Sequence, residues 1–497
     1  MDFYSFILIL LLILPSSLCL EKEKEETVKN KTSVKDVDKH ETINSTISLI
    51  NICDKCTCTE NSVKCSTWDI KTTFKSYKWP NGTLEIVSLE NTPLVSITQF
   101  PLLSIRKLVI TGSKIKKIDD ASFINLNNFT ELNLSHNEIT SRILFPDDFL
   151  GNYSDISYEP MKYLRILNLS YNLFHTLDQG IFKHTRDLTI LSLRGNPLTV
   201  IDTPTNIALS TLPLLEELDL SYCQLHELPH YIFHISHKYL KKIDLSGNKF
   251  TTLPLALEYA KFVKQLTLDN NPIKFIGQNY NNTFPELSNL EELNLRNMSL
   301  LKQIGEGAFA KLSNLTILRI QNCSHLNLLD ANAFSLNNSK GNTGPPLKKL
   351  LISDNALQYL PEHFVARWDR LEELDLMNNQ WSCDCDNQYL TTNIIPRLGL
   401  KLMGDKVNEL KCVSPPEHYG KSLTSLEHRK LRCLDLYNAR PEKDAAILVG
   451  ILIGLLLVIP VGVTFFFLWK RGYFFCGSQS PGSFSRAFYK RTPHDDI

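Results

Sequence analysis

Twelve stretches of this chain carry the same apolar spacing, and a chain so patterned can bury its leucines only by stacking one copy on the next. Nine copies fit LxxLxLxxNxL, among them FTELNLSHNEI from Phe129 and LRILNLSYNLF from Leu164, with others starting at Leu188, Leu215, Leu240, Val263, Leu290, Leu347 and Leu371. Three looser copies begin at Leu84, Ile105 and Leu315, and most starts lie 21 to 27 residues apart. In each LxL the alternate side chains of a short strand point inward. Stacked strands then form one parallel sheet along a curved solenoid, with the residues between the leucines on its concave face.

The ninth position of each copy must turn the chain away from the strand while its side chain stays inside, where it can satisfy backbone amides of adjoining turns. This column reads Thr92, Ser113, Asn137, Asn172, Asn196, Cys223, Asn248, Asn271, Met298, Cys323, Asn355 and Asn379. Cys223 and Cys323 are therefore expected to be buried free thiols. They are a hundred residues apart in a rigid stack, which makes a bond between them implausible.

Eight further cysteines fall in two groups, Cys53, Cys56, Cys58 and Cys65 before the first copy and Cys383, Cys385, Cys412 and Cys433 after the last. An open solenoid end exposes its core leucines and needs a lid, and a small lid outside the cell is held by disulfides. Spacing alone leaves three pairings open for each group of four. A zinc site is the competing reading of the same residues, disfavoured in an oxidising compartment.

A period of this length is the signature of leucine-rich repeats. With CDKCTCTENSVKC before them and Trp381, CDC, CVSPPEHYGKSLTSL and a closing Cys433 after them, residues 51 to about 434 resemble the extracellular leucine-rich repeat single-pass transmembrane proteins with cysteine-rich N- and C-terminal flanks. The resemblance implies the pairs Cys53 with Cys58, Cys56 with Cys65, Cys383 with Cys412 and Cys385 with Cys433. Two departures are the first two cysteines, Cys53 and Cys56, separated by two residues where three are usual, and Gln380 where the family often has Pro. The expected fold class is α/β: a leucine-rich repeat solenoid with its parallel sheet on the concave face, disulfide caps, and then one transmembrane helix.

The ends fix the expected topology. Residues 1–20, MDFYSFILILLLILPSSLCL, read as a secretory signal peptide removed near Cys19, although they lack an early Lys or Arg. Residues 445–469 run without a charge, long enough to cross a bilayer, whereas a soluble helix would keep a polar face. Lys470 and Arg471 follow directly and place residues 470–497 in the cytoplasm, so the chain is expected to be a single-pass type I protein of the plasma membrane with its N-terminus outside. Between these lie a charged disordered lead-in (21–50), the N-terminal cap (51–80), the repeats (81–380), the C-terminal cap (381–434) and a juxtamembrane linker (435–444). Gly450 and Gly454 form a small-xxx-small pattern that would allow a homodimer, although Gly is common in spans in any case.

Twelve N-x-[ST] sequons, at Asn30, Asn44, Asn81, Asn128, Asn133, Asn152, Asn168, Asn281, Asn297, Asn314, Asn322 and Asn337, suit a secreted surface. Asn133 and Asn168 lie between inward leucines, so glycans there would shield the early sheet and push a ligand toward later repeats or an edge. Two repeats are enlarged, by RILFPDDFLGNYSDISYEP and by SLNNSKGNTGPP, and the extra residues are expected to leave the solenoid as loops.

Other signals are weaker. His226, His230, His234 and His237 stand at near-helical spacing, but Pro229 argues against a helix there and the segment aligns with an ordinary returning limb, so no metal or cofactor is expected. No motif ties a nucleophile to a base, and the chain is not expected to be an enzyme. With 53 basic and 53 acidic side chains, no net field draws it to nucleic acid. In the tail, Cys476, Tyr473, Tyr489 and the C-terminal HDDI offer modification or groove-binding patterns that a plain solvated tail explains equally well.

The expected function is binding of an extracellular or cell-surface protein, in cell adhesion or recognition, by a protein anchored in the bilayer. Candidate contacts are the outward positions of the later repeats: Glu217, Asp219, Tyr222, Lys242, Asp244, Gln265, Asp269, Glu292, Asn294, Arg296, Arg319, Lys349, Glu373 and Asp375. The alternative is a receptor or co-receptor for a soluble ligand, with an innate immune role among its forms, signalling through a partner because residues 470–497 are too short for a signalling domain.

Overall fold

The computed structural model describes residues 49–67, 73–153, 158–234, 238–335, 344–433 and 441–471. The signal peptide, most of the lead-in, the tail, His237 and the sequons at Asn30, Asn44 and Asn337 lie outside the described residues.

Twelve repeat strands, from Thr83–Glu90 to Glu373–Asp375, pair in chain order as one parallel sheet. The sheet begins at the cap hairpin of Thr57–Cys58 and Ser62–Ser66. Register is set by the inward leucines: Leu132, Leu167, Leu191, Leu218, Ile243 and Leu266 are successive partners and are all but fully buried. A slip of one residue would turn each of them to water.

Just past each strand the chain turns inward, and one residue per repeat takes a left-handed conformation there. The column runs Asn91, Gly112, His136, Tyr171, Gly195, Tyr222, Gly247, Asn270, Asn297, Asn322, Asp354 and Asn378, with φ between 51° and 71°. Asn and Gly tolerate this region best, so His136, Tyr171 and Tyr222 are unusual occupants. The next residue is the interior ladder. Asn248 is typical: its Oδ1 accepts from the amides of Cys223 (3.1 Å) and Leu225 (3.0 Å), and its Nδ2 donates to the carbonyls of Leu220 and Leu245 (2.9 Å each). Each ladder asparagine thus joins two repeats. Cys223 and Cys323 fill the same slot with one thiol donor each, to Leu193 (3.2 Å) and Leu295 (3.3 Å), and burial pushes both thiols up to about 12.

The returning limbs close the core with stacked rings, Phe74 on Phe100 at 4.1 Å at one end and Phe284 on Phe309 at 5.8 Å further along. The first enlarged repeat departs from the expectation of a plain loop. Its turn Pro146–Phe149 folds back, Phe149 is fully buried 5.9 Å from Phe123, and Leu144 is buried as well. The inserted apolar side chains gain more by joining the ring row than by facing water.

Both ends are lidded. The structure bonds Cys53 to Cys58, Cys56 to Cys65, Cys383 to Cys412 and Cys385 to Cys433. Trp381 is buried at the last repeat and donates its indole N–H to the Leu376 carbonyl at 3.0 Å, and the helical segments Leu390–Gly399 and Leu400–Met403 close the apolar end. The helix Pro441–Lys470 contains the apolar run Ala445–Lys470, long enough to cross a membrane. Gly450 and Gly454 lie on it with open space where a Cβ would be.

Candidate protein-binding face

The pleat that buries the leucines sends the residues on either side of each central leucine to the opposite face. Parallel register then aligns them in two columns. One contains Glu217, Lys242, Gln265, Glu292, Ile317, Lys349 and Glu373; the other contains Asp219, Asp244, Thr267, Asn294, Arg319, Leu351 and Asp375. Eleven of the fourteen candidate contacts fall in these columns, Asp269 and Arg296 lie just beyond them, and Tyr222 stands on the left-handed edge.

Most of these charges are already engaged with a neighbouring strand. Lys242 lies 3.5 Å from Glu217, Lys349 2.7 Å from Glu373, and Arg296 2.8 Å from Asp269. Arg319 pairs with Glu292 and also donates to Asn294 Oδ1 at 2.9 Å, while Gln265 donates to Glu292 at 3.3 Å. Asp219 accepts from the Ser192 hydroxyl at 3.0 Å and the Ser221 amide at 2.9 Å, Asp244 from the Ser246 amide at 2.9 Å, and Asp375 from Gln321 at 3.3 Å. Burial, with Asp219 alongside, holds the Asp244 carboxyl above its ordinary value. Asp269 and Asn294 are only 5 % and 3 % exposed, so these two outward positions present little of themselves to a partner.

One stretch of the left-handed edge is built differently. The rings of His136 and Tyr171 stack at 4.5 Å, the Arg194 Nε donates to the Tyr171 hydroxyl at 2.8 Å, and the Arg194 guanidinium sits 4.7 Å over the Tyr222 ring. Asn270 continues the row by donating to the Tyr222 hydroxyl at 3.2 Å. Glycine separates the tyrosines because a Cβ at Gly195 would lie 2.5 Å from the Tyr171 ring, and one at Gly247 2.4 Å from the Tyr222 ring. Tyr171 and Tyr222 remain 40 % and 41 % exposed, an aromatic and cationic strip of the kind that dominates protein interfaces.

His136, Tyr171 and Arg194 are absent from the candidates drawn from sequence because those begin at Glu217. The available signal was a tyrosine at a position that other copies fill with Asn or Gly. On the opposite flank, Leu214, Tyr239 and Phe262 stand three residues ahead of the paired Glu217, Lys242 and Gln265, forming an exposed apolar row that the motif also passes over.

Of the described sequons, Asn81, Asn128, Asn152, Asn281, Asn297, Asn314 and Asn322 are exposed. Asn133 and Asn168 are half-buried partners on adjacent strands, their Oδ1 atoms taken by the Ser135 and Ser170 amides at 2.9 Å. His230 and His234 pack their rings edge-on against Tyr259, and no group of side chains suited to a metal ion occurs among the described residues.

A leucine rich repeat family model matches residues 104–152 and 162–225, and a second leucine rich repeat model matches residues 239–259. Among curated proteins, chaoptin of Drosophila melanogaster is 30 % identical over 216 residues, covering 39 % of this chain and 15 % of that protein. Asporin of Bos taurus is 28 % identical over 190 residues, covering 35 % and 50 %, and CD180 antigen of Mus musculus is 29 % identical over 212 residues, covering 39 % and 31 %. The match thus spans half or less of the length of each relative.

Proposed function

We propose that this chain, a leucine-rich repeat protein with disulfide-bonded flanks, is a single-pass surface glycoprotein that binds a protein partner through its sheet face, in cell adhesion or recognition. The observation that carries this reading is the strip of Tyr171, Arg194 and Tyr222 at the edge of a rigid, in-register sheet. Parallel strands tied by ladder asparagines hold outward side chains in fixed positions, so ordering them costs little when a partner docks. Aromatic and arginine anchors supply affinity, and the paired charges around them discriminate among partners. The span Ala445–Lys470 would fix the face at a cell surface.

The test displays the full chain on cells and measures binding of a panel of cell-surface and secreted ectodomains, this chain's own included. A variant with Tyr222→Ala, Lys242→Glu and Lys349→Glu should lose the specific hits while reaching the surface at the normal level. Full binding by that variant would remove the face from the account. Loss of a cellular response on deleting residues 472–497, with binding intact, would favour the receptor reading.

A further inference from the structure

Three arginines stand on the sheet face or its turn edge, and two of them are consumed within it: Arg296 by Asp269 and Arg319 by Glu292. Arg194 differs. Its Nε donates to the Tyr171 hydroxyl and one Nη1 hydrogen points to Ser221 Oγ at 3.2 Å, yet no carboxylate among the described residues lies within 4.0 Å of it. The group is held between two tyrosine rings, 5.9 Å from the Tyr171 centroid and 4.7 Å from that of Tyr222, which leaves its Nη2 side uncommitted. A guanidinium fixed in this way has already lost its rotamer freedom and offers a fork suited to two carboxylate oxygens.

The surroundings narrow the occupant. Asp219 occupies the strand next to that of Arg194 and Asp244 the strand after it, and both accept from their own serines. Their charge opposes a polyanionic chain spread along the face and leaves room for one acid at the fork.

We propose that Arg194 is the anchor of this face and receives a single carboxylate, an Asp or Glu side chain of the protein partner. The assignment rests on the protein-binding reading given above and names the chemistry of its central contact. Tyr171 is a positioning residue that aims the guanidinium, and Tyr222 covers the pair from water.

A phage library of random peptides, panned on the full chain in nanodiscs, tests this directly. The wild-type chain should enrich peptides sharing one fixed Asp or Glu. Their affinity should fall about 10- to 100-fold on Arg194→Gln, the range for a charge-assisted bidentate contact, while unrelated peptides keep theirs. Tyr171→Phe should give a smaller fall with an unchanged thermal midpoint, a readout that separates positioning from folding. Acidic peptides held equally by Arg194→Gln, or face-binding peptides with no fixed acid, would overturn the anchor while leaving protein binding by the face intact. Heparin beads that retain the wild-type chain but not Arg194→Gln would overturn it too, assigning Arg194 to a polyanion. If the face selects no peptide at all, the protein-binding reading fails and the anchor falls with it.

Discussion

Replacing Asn248 with alanine removes four buried hydrogen bonds of 2.9 to 3.1 Å, three of which join the repeats of Cys223 and Asn248 while the fourth, to the Leu245 carbonyl, closes its own turn. At about 1 kcal/mol net for each bond, the loss is about 4 kcal/mol, and the two amides and the Leu220 carbonyl left dry add to it, whereas the Leu245 carbonyl keeps its bond from Asn271 Nδ2 at 3.0 Å. Asn248→Cys should cost less than alanine, because a thiol in this slot keeps a donor to the preceding repeat, as Cys223 does to Leu193 at 3.2 Å. The expected order of stability is therefore Asn, Cys, Ala. The assay is thermal unfolding of the full chain together with amide exchange at Cys223 and Leu225, whose protection should fall first, since a solenoid loses cooperativity at its weakest joint. A loss under about 1 kcal/mol for alanine, or cysteine ranking below alanine, would refute the ladder as the joint between repeats.

Gly247→Ala should lower the thermal midpoint for two reasons, a left-handed φ of 65° and a Cβ 2.4 Å from the Tyr222 ring. In a Tyr222→Ala background only the first cost, about 1 kcal/mol, should remain, and equal costs in both backgrounds would deny the ring contact. Asp148 is fully buried, and burial, with Asp120, Asp147 and Asp119 adding to it, raises its carboxyl to about 7. The folded chain then holds a proton that the unfolded chain releases, so this group adds stability as pH falls through 7, by about 2 kcal/mol between pH 7.4 and 5. Denaturation across that range should show the gain in the wild-type chain and its loss in Asp148→Asn, with the buried His184 near Asp147 titrating in the opposite sense; the same profile in both chains would remove Asp148 as its source.

The repeats were legible because burial of leucine is periodic, and the side chain at the ninth position of each copy marks its turn through its hydrogen bonds. The cap bonds were legible only through resemblance, since spacing leaves several pairings open. The candidate face was legible as columns but not as a site. Which outward charges are spent on neighbours, as Glu292 is on Arg319, depends on the strand beside each residue, and that neighbour lies 27 residues away in sequence. The Tyr171, Arg194 and Tyr222 strip was missed for a related reason: the motif describes single repeats, and the strip exists only across three. Phe149 shows the opposite error, where an insertion read as a loop carries a side chain that completes a row of rings.

The most direct measurement places a photo-crosslinking residue at Lys242, on the face, and separately at Leu255, 76 % exposed on a returning limb, in the full chain on living cells. The account calls for covalent adducts with a discrete extracellular protein from position 242 and none from position 255. Protein adducts from 255 alone would contradict it.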